Sequence, residues 1–177
     1  MKKKDRYLIA FQGLKEGEHY FEFNVNDTFF ALLDYAVIER GTLKVFVNLI
    51  KTSRHLELEI AIDGYVYVPC DRCLEEYAQD IAFEGRIFVK FGEERFDEDD
   101  EIWVVSKDDN ELDITHYIYE SISLSLPYRK VHPDDEFGNI TCNPEMLEKL
   151  EEHMIEQDSN EEISDPRWDK LKDLLKN

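Results

Sequence analysis

The sequence predicts an α+β fold on a twisted antiparallel sheet, able to curl toward a barrel, with one packed helix and peripheral C-terminal helices. Three observations predict it. Leu56, Leu58, Ile60 and Ile62 fall on every second position, and Glu57, Glu59 and Asp63 fill most of the other face. That period of two, with one wet side, is the mark of an antiparallel strand. After Asp113 the period changes: Ile114, Ile118, Ile122 and Leu126 recur every four residues, a single helical stripe stopped by Pro127. Further short segments rich in Val, Leu, Ile and Phe flank the first strand on both sides.

Taken in order, Tyr7 to Phe11 and His19 to Val25 read as short strands. Asp27 is placed to cap a brief helix through Phe29, Phe30, Leu32 and Leu33, ending near Tyr35. Thr42 to Ile50 is a strand. The strand from Leu56 meets Gly64, which suggests a bulge or bend, and continues from Tyr65 to Val68. Leu74 to Gln79 has room for a turn or two of helix before alternation resumes at Ile81. Ile87, Val89 and Phe91 then alternate against Arg86 and Lys90, and Glu101 to Ser106 is one more candidate strand. The acidic run from Glu93 to Glu101 reads as a solvated loop.

Asp113 suits the N-cap of the helix that ends at Leu126. Tyr128 to Pro144 is irregular, Glu145 to Gln157 reads as a helix with Leu147, Leu150 and Met154 on one side, and Asp158 to Ser164 as a polar linker. The last helix opens with Asp165 as cap and Pro166 in its first turn, with Trp168, Leu171 and Leu175 on one face. The expected organisation is therefore a β-rich domain with one packed helix over residues 1–128. An irregular acidic segment with two short helices follows over residues 129–177.

The net charge of −20 argues against a protein that tracks phosphates, since nucleic-acid binding needs Lys and Arg to neutralise them. The charge is unevenly spread. Residues 1–91 hold 12 Lys and Arg against 15 Asp and Glu, a net of −3, which leaves −17 for residues 92–177. The second half is suited to basic proteins. No apolar run approaches the roughly 20 residues of a membrane-spanning helix. The basic start Lys2-Lys3-Lys4 is followed by too short an apolar stretch for a signal peptide. A cytoplasmic location is expected, and the sequons at Asn26 and Asn139 then carry no meaning.

Three cysteines without an export signal point to reduced thiols or a metal site, not a disulfide scaffold. The sharpest local feature is Pro69-Cys70-Asp71-Arg72-Cys73-Leu74. Two thiolates two residues apart grip one ion from a tight turn, and a structural zinc needs two further ligands. His132 and Cys142 are the candidates, nine residues apart and wider than the usual spacing. The simpler alternative is a pair of reduced cysteines in a strand-end turn. A thiol–disulfide enzyme at Cys70 and Cys73 is a further alternative, and it depends on a helix directly after the pair to lower the first thiol's pKa.

Phosphate loops, nucleophile elbows and His-Glu-x-x-His motifs are missing, and no nucleophile–base pair can be assigned, so no enzyme and no small-molecule substrate is expected. Arg54, Arg72, Arg86 and Lys90 lie in or beside the β section near Tyr65 and Tyr67. Aromatics interleaved with Arg on a sheet can stack single-stranded bases, so these four are candidate RNA- or partner-binding residues. The plainer reading is cations on the wet face of the sheet.

The order of these parts resembles the YceD family, the large ribosomal RNA subunit accumulation proteins. The resemblance rests on Cys70-Asp71-Arg72-Cys73-Leu74, on Leu-Ser-Leu-Pro at 124–127 and on Asp165-Pro166-Arg167-Trp168. It runs from about Ile60 to Asn177, and earlier only the pattern of strands fits. Many relatives carry further cysteines in the loop after Leu-Pro, where this chain offers His132 and Cys142, with Asp134, Asp135 and Glu136 between. The resemblance implies a non-enzymatic factor in large-subunit rRNA accumulation and ribosome biogenesis. Its expected partner is a basic ribosomal protein or the large-subunit rRNA precursor particle.

Overall fold

The computed structural model describes residues 7–92, 102–106 and 108–153. The chain divides into two compact units, residues 1–142 and 143–177. In the first, the elements run β1 (Leu8–Ile9), β2 (Gly17–Val25), α1 (Asp27–Phe30), β3 (Gly41–Lys51), β4 (His55–Pro69), β5 (Glu76–Phe91), β6 (Ile102–Val105), β7 (Leu112–Asp113) and α2 (Thr115–Leu124). The second holds α3 (Pro144–His153). Among the described residues, no helix is long and apolar enough to cross a membrane.

The architecture is α+β. A five-stranded sheet runs β2-β3-β4-β5-β6 and stays open, with β2 and β6 as its edges. Strands β2 to β5 are antiparallel neighbours, whereas β6 joins β5 in parallel, Phe88 opposite Ile102. That parallel edge departs from a purely antiparallel sheet. The acidic run before β6, expected as a loop, lies outside the described residues apart from Gly92 at its approach. The tiny pair β1–β7 sets Ile9 against Leu112.

Period two builds the core. Leu49, Leu58 and Ile87 fall opposite one another across β3, β4 and β5, and so do Val45, Ile62 and, less buried, Phe83. All but Phe83 are buried. Helix α2 packs on this inner face. Ile114, Ile118 and Ile122 have no exposed surface, and each such burial contributes roughly 1.5–3 kcal/mol. Tyr117 of α2 reaches over Gly85, where a Cβ would lie 2.5 Å from its hydroxyl, and meets the rings of Phe83 and Trp103 edge-on at 6.1 and 5.8 Å. The helix is shorter than its stripe: it ends at Leu124, and Leu126 belongs to the closing turn, its N–H donating to the Ser123 carbonyl. Asp113 lies in β7, and its carboxylate accepts the N–H of Thr115 at 2.9 Å.

Three local expectations are corrected. Helix α1 is capped by Asn26, whose side chain accepts from Thr28 N at 3.0 Å, and it lasts one turn. Asp27 instead accepts the Gly41 N–H and pins α1 to the start of β3. Gly64 makes no bulge: β4 is unbroken, with Gly64 in register with Leu43 and Ile81. Its φ of 148° is one that L side chains rarely adopt, and a Cβ there would sit 2.6 Å from Leu43 Cα and closer still to the Thr42 carbonyl. Glycine is required by close approach. Leu74 to Gln79 forms no helix, because β5 starts at Glu76 and pairs with Pro69.

Helix α3 starts one residue before the span expected at Glu145 to Gln157 and covers it as far as His153, and none of its described residues is buried. Met154, the linker from Asp158 and the final helix at Asp165-Pro166 lie outside the described residues.

Candidate metal centre

Strand β4 runs straight into the Cys-x-x-Cys turn. The Leu74 N–H donates to the Cys70 carbonyl and the Cys70 N–H to the Glu75 carbonyl, closing a tight knuckle between β4 and β5. The Arg72 N–H points at Cys70 Sγ, 3.4 Å away. Leu74 adopts φ +63° while its side chain is 70% exposed.

The loop after α2 comes to the knuckle and is fastened there before any ligand is counted. The Asp71 N–H donates to the Lys130 carbonyl and the Lys130 N–H to the Asp71 carboxylate, each at 2.7 Å, with the Lys130 ammonium 3.7 Å from the same side chain. Two residues later His132 packs its ring against Tyr77, centroids 4.9 Å apart.

The nine residues between His132 and Cys142 fold back on themselves. Asp135 accepts from the backbone of Phe137 and Asn139 and from the Asn139 amide, and its own N–H donates to the Asn139 carbonyl. These bonds, led by the Asn139 side chain, hold its carboxyl below the ordinary range. The Thr141 hydroxyl donates to the Pro133 carbonyl and draws the loop's ends together.

Cys70, Cys73, His132 and Cys142 therefore converge, their ligand atoms all within 4.8 Å of one another. Cys70 Sγ lies 3.7 Å from Cys142 Sγ, and His132 Nδ1 lies 3.4 Å from Cys73 Sγ and 3.7 Å from Cys142 Sγ. Tetrahedral zinc, with bonds of about 2.3 Å to sulfur and about 2.05 Å to nitrogen, spaces its ligands about 3.6–3.8 Å apart. These three separations lie within about 0.2 Å of that spacing, and the donor types are those of a structural zinc.

All three cysteines are free thiols and buried. Burial pushes the Cys70 thiol up, but the backbone N–H groups of Cys73, Arg72 and His132, with the His132 ring, outweigh it and bring it down to about 6. Cys142 moves the other way, raised by burial and then by the sulfurs of Cys70 and Cys73. The cluster thus gathers thiolate character at the knuckle, which a cation requires. With a strand after the pair, the helix on which a thiol–disulfide enzyme would depend is missing.

The four cations proposed for RNA or partner binding are not gathered. Arg54 sits in the β3–β4 turn, and Lys90, near the end of β5, pairs with His55 beside it. Arg72 lies in the knuckle at the far end of β4, roughly 45 Å of extended strand away. Arg86, mid-sheet, is held by Glu57 at 3.2 Å and Glu59 at 2.9 Å. Sequence reasoning gave no role to Asp71, Lys130 or Asp135, which shape the centre. The Asp-x-x-Gly-Asn run from Asp135 to Asn139 carries the turn signal that could have revealed the loop closure.

A family model described as large ribosomal RNA subunit accumulation protein YceD matches residues 58–175, about two thirds of the chain. The match opens within β4 and takes in all four residues of the cluster. None of the curated proteins or solved structures compared matches the chain.

Proposed function

Because this chain belongs to the YceD family, we propose that it supports accumulation of large-subunit ribosomal RNA as a non-enzymatic assembly factor, stapled by a structural zinc ion. The family match carries the ribosomal reading. Its description names an accumulation, not a catalysed reaction.

Cys70, Cys73, His132 and Cys142 would hold the zinc. Four protein ligands leave no open position for substrate or activated water, so the ion's contribution is to clamp the knuckle to the loop after α2. A net charge of −20 disfavours wrapping bare RNA and favours a basic ribosomal protein as the direct partner.

The test is genetic and biochemical. Removing the protein from cells lowers the ratio of large- to small-subunit rRNA, and re-expression restores it. The purified chain captures basic ribosomal proteins at low salt. An unchanged rRNA ratio contradicts the ribosomal role. Steeply salt-dependent binding to bare rRNA, with no capture of ribosomal proteins, contradicts the choice of partner.

A further inference from the structure

The division into halves of −3 and −17 conceals how the sheet sorts its charge. On β2 to β5 the side chains facing away from the core include eight carboxylates and only three Lys or Arg. This face carries a groove of about 890 Å³ across four strands. One row of its floor is Tyr20, Asn48, Glu59 and Arg86, in register. The next is Glu22, Phe46, Ala61 and Glu84.

Three features single this groove out. Tyr20 and Phe46 are 74% and 42% exposed at mid-strand, on a face where Thr, Lys or Glu would be the unremarkable choice. Glu84 has no ion pair among the described residues, whereas Arg86 is already engaged by Glu57 and Glu59. Asn48 donates its amide to Glu59, but its Oδ1 is closed off from water and has no hydrogen-bond partner among the described residues. A buried acceptor without a donor costs about 1–3 kcal/mol.

We propose that this groove docks an extended Lys- and Arg-bearing segment of a basic protein. A cationic head meets Glu84, while Glu22 and Glu59, paired with Lys44 and Arg86, keep the flanking floor acidic. The alkyl stems and guanidinium planes lie on Tyr20 and Phe46. Phosphates are the wrong sign for this face, which separates the proposal from an RNA platform. It rests on the reading that the partner is basic, and it assigns that partner to the sheet, where residues 1–91 as a whole are nearly neutral.

The experiment titrates the isotopically labelled full chain with a decapeptide of alternating arginine and serine, reading amide shifts. The expected changes centre on Tyr20, Phe46, Asn48 and Glu84. Phe46→Ala and Glu84→Lys, each shown folded by circular dichroism, weaken binding by about fivefold or more. Shifts confined to residues 133–153, or full affinity in both variants, overturn the proposal. So does an oligouridylate that perturbs the same amides. A chain lacking Lys2 to Lys4 that binds about tenfold tighter also overturns it, by making the protein's own N-terminus the occupant. Ribosomal-protein capture separates the two readings: capture by wild type and variants alike removes the groove and leaves the family role, whereas no capture by wild type removes both.

Discussion

Gly64→Ala tests whether β4 is one continuous strand pressed against β3. The strand carries Glu59 and Ala61 of the groove and ends at Pro69, directly before Cys70, so its course positions both sites. An alanine there must adopt φ near 148°, which costs about 1–3 kcal/mol. Its methyl must also displace Leu43 Cα, 2.6 Å away, and the Thr42 carbonyl. Both are backbone atoms of the paired strand, so relief means opening the ladder, at a further cost of about 1–3 kcal/mol. The sum is about 4 kcal/mol, or a melting temperature lower by about 8–16 °C for a unit of this size. Gly138→Ala is the control. Its φ is +80° with nothing within 4 Å, so only conformational strain of about 1 kcal/mol applies. Urea unfolding of the full chain, followed by circular dichroism, measures both. Equal losses of about 1 kcal/mol would refute close approach and return Gly64 to the role of a simple bend.

Three further predictions concern the metal centre. Leu74→Gly relieves about 1–2 kcal/mol of left-handed strain at a largely exposed residue, which outweighs the roughly 0.4–1 kcal/mol that glycine's freedom in the unfolded chain costs, so the chain is stabilised by about 0.5–1 kcal/mol in the same assay. Asp135→Ala opens the turn that brings His132 to Cys142 and weakens zinc binding by about tenfold in a competition titration, with the sheet intact. In chelator-treated protein, thiolate absorbance shows one group titrating near pH 6, Cys70. Because that folded pKa lies below its ordinary 9.0, Cys70 contributes stability above pH 9 that is lost as pH falls toward about 6. A Cys70 thiol that titrates near pH 9 would contradict the cluster's geometry.

Much of the sheet was legible because one-sided burial leaves period two in the residues themselves, as in Leu56 to Ile62. The stripe Ile114, Ile118 and Ile122 was legible in the same way. Leu74 to Gln79 misled because Glu75, Glu76, Ala78 and Gln79 are good helix formers, and pairing with Pro69 to Val66 overrides that local preference. The parallel seat of β6 left no local trace, since it depends on where the chain returns after Gly92.

The four cluster residues stood out as scarce ligand types. Their convergence did not, because it is made by Asp135, Asp71 and Lys130 acting on backbone groups far along the chain. The acidic groove was hidden for a different reason. Net charge counted along the chain averages over both faces, whereas the pleat of β2 to β5 separates them.

The central claim, that Cys70, Cys73, His132 and Cys142 staple this fold with one structural zinc, is tested most directly by native mass spectrometry of the freshly purified full chain, paired with elemental analysis. The account predicts one zinc ion per chain, lost in Cys142→Ser. A wild-type chain that carries no metal after purification in zinc-supplemented medium would contradict it.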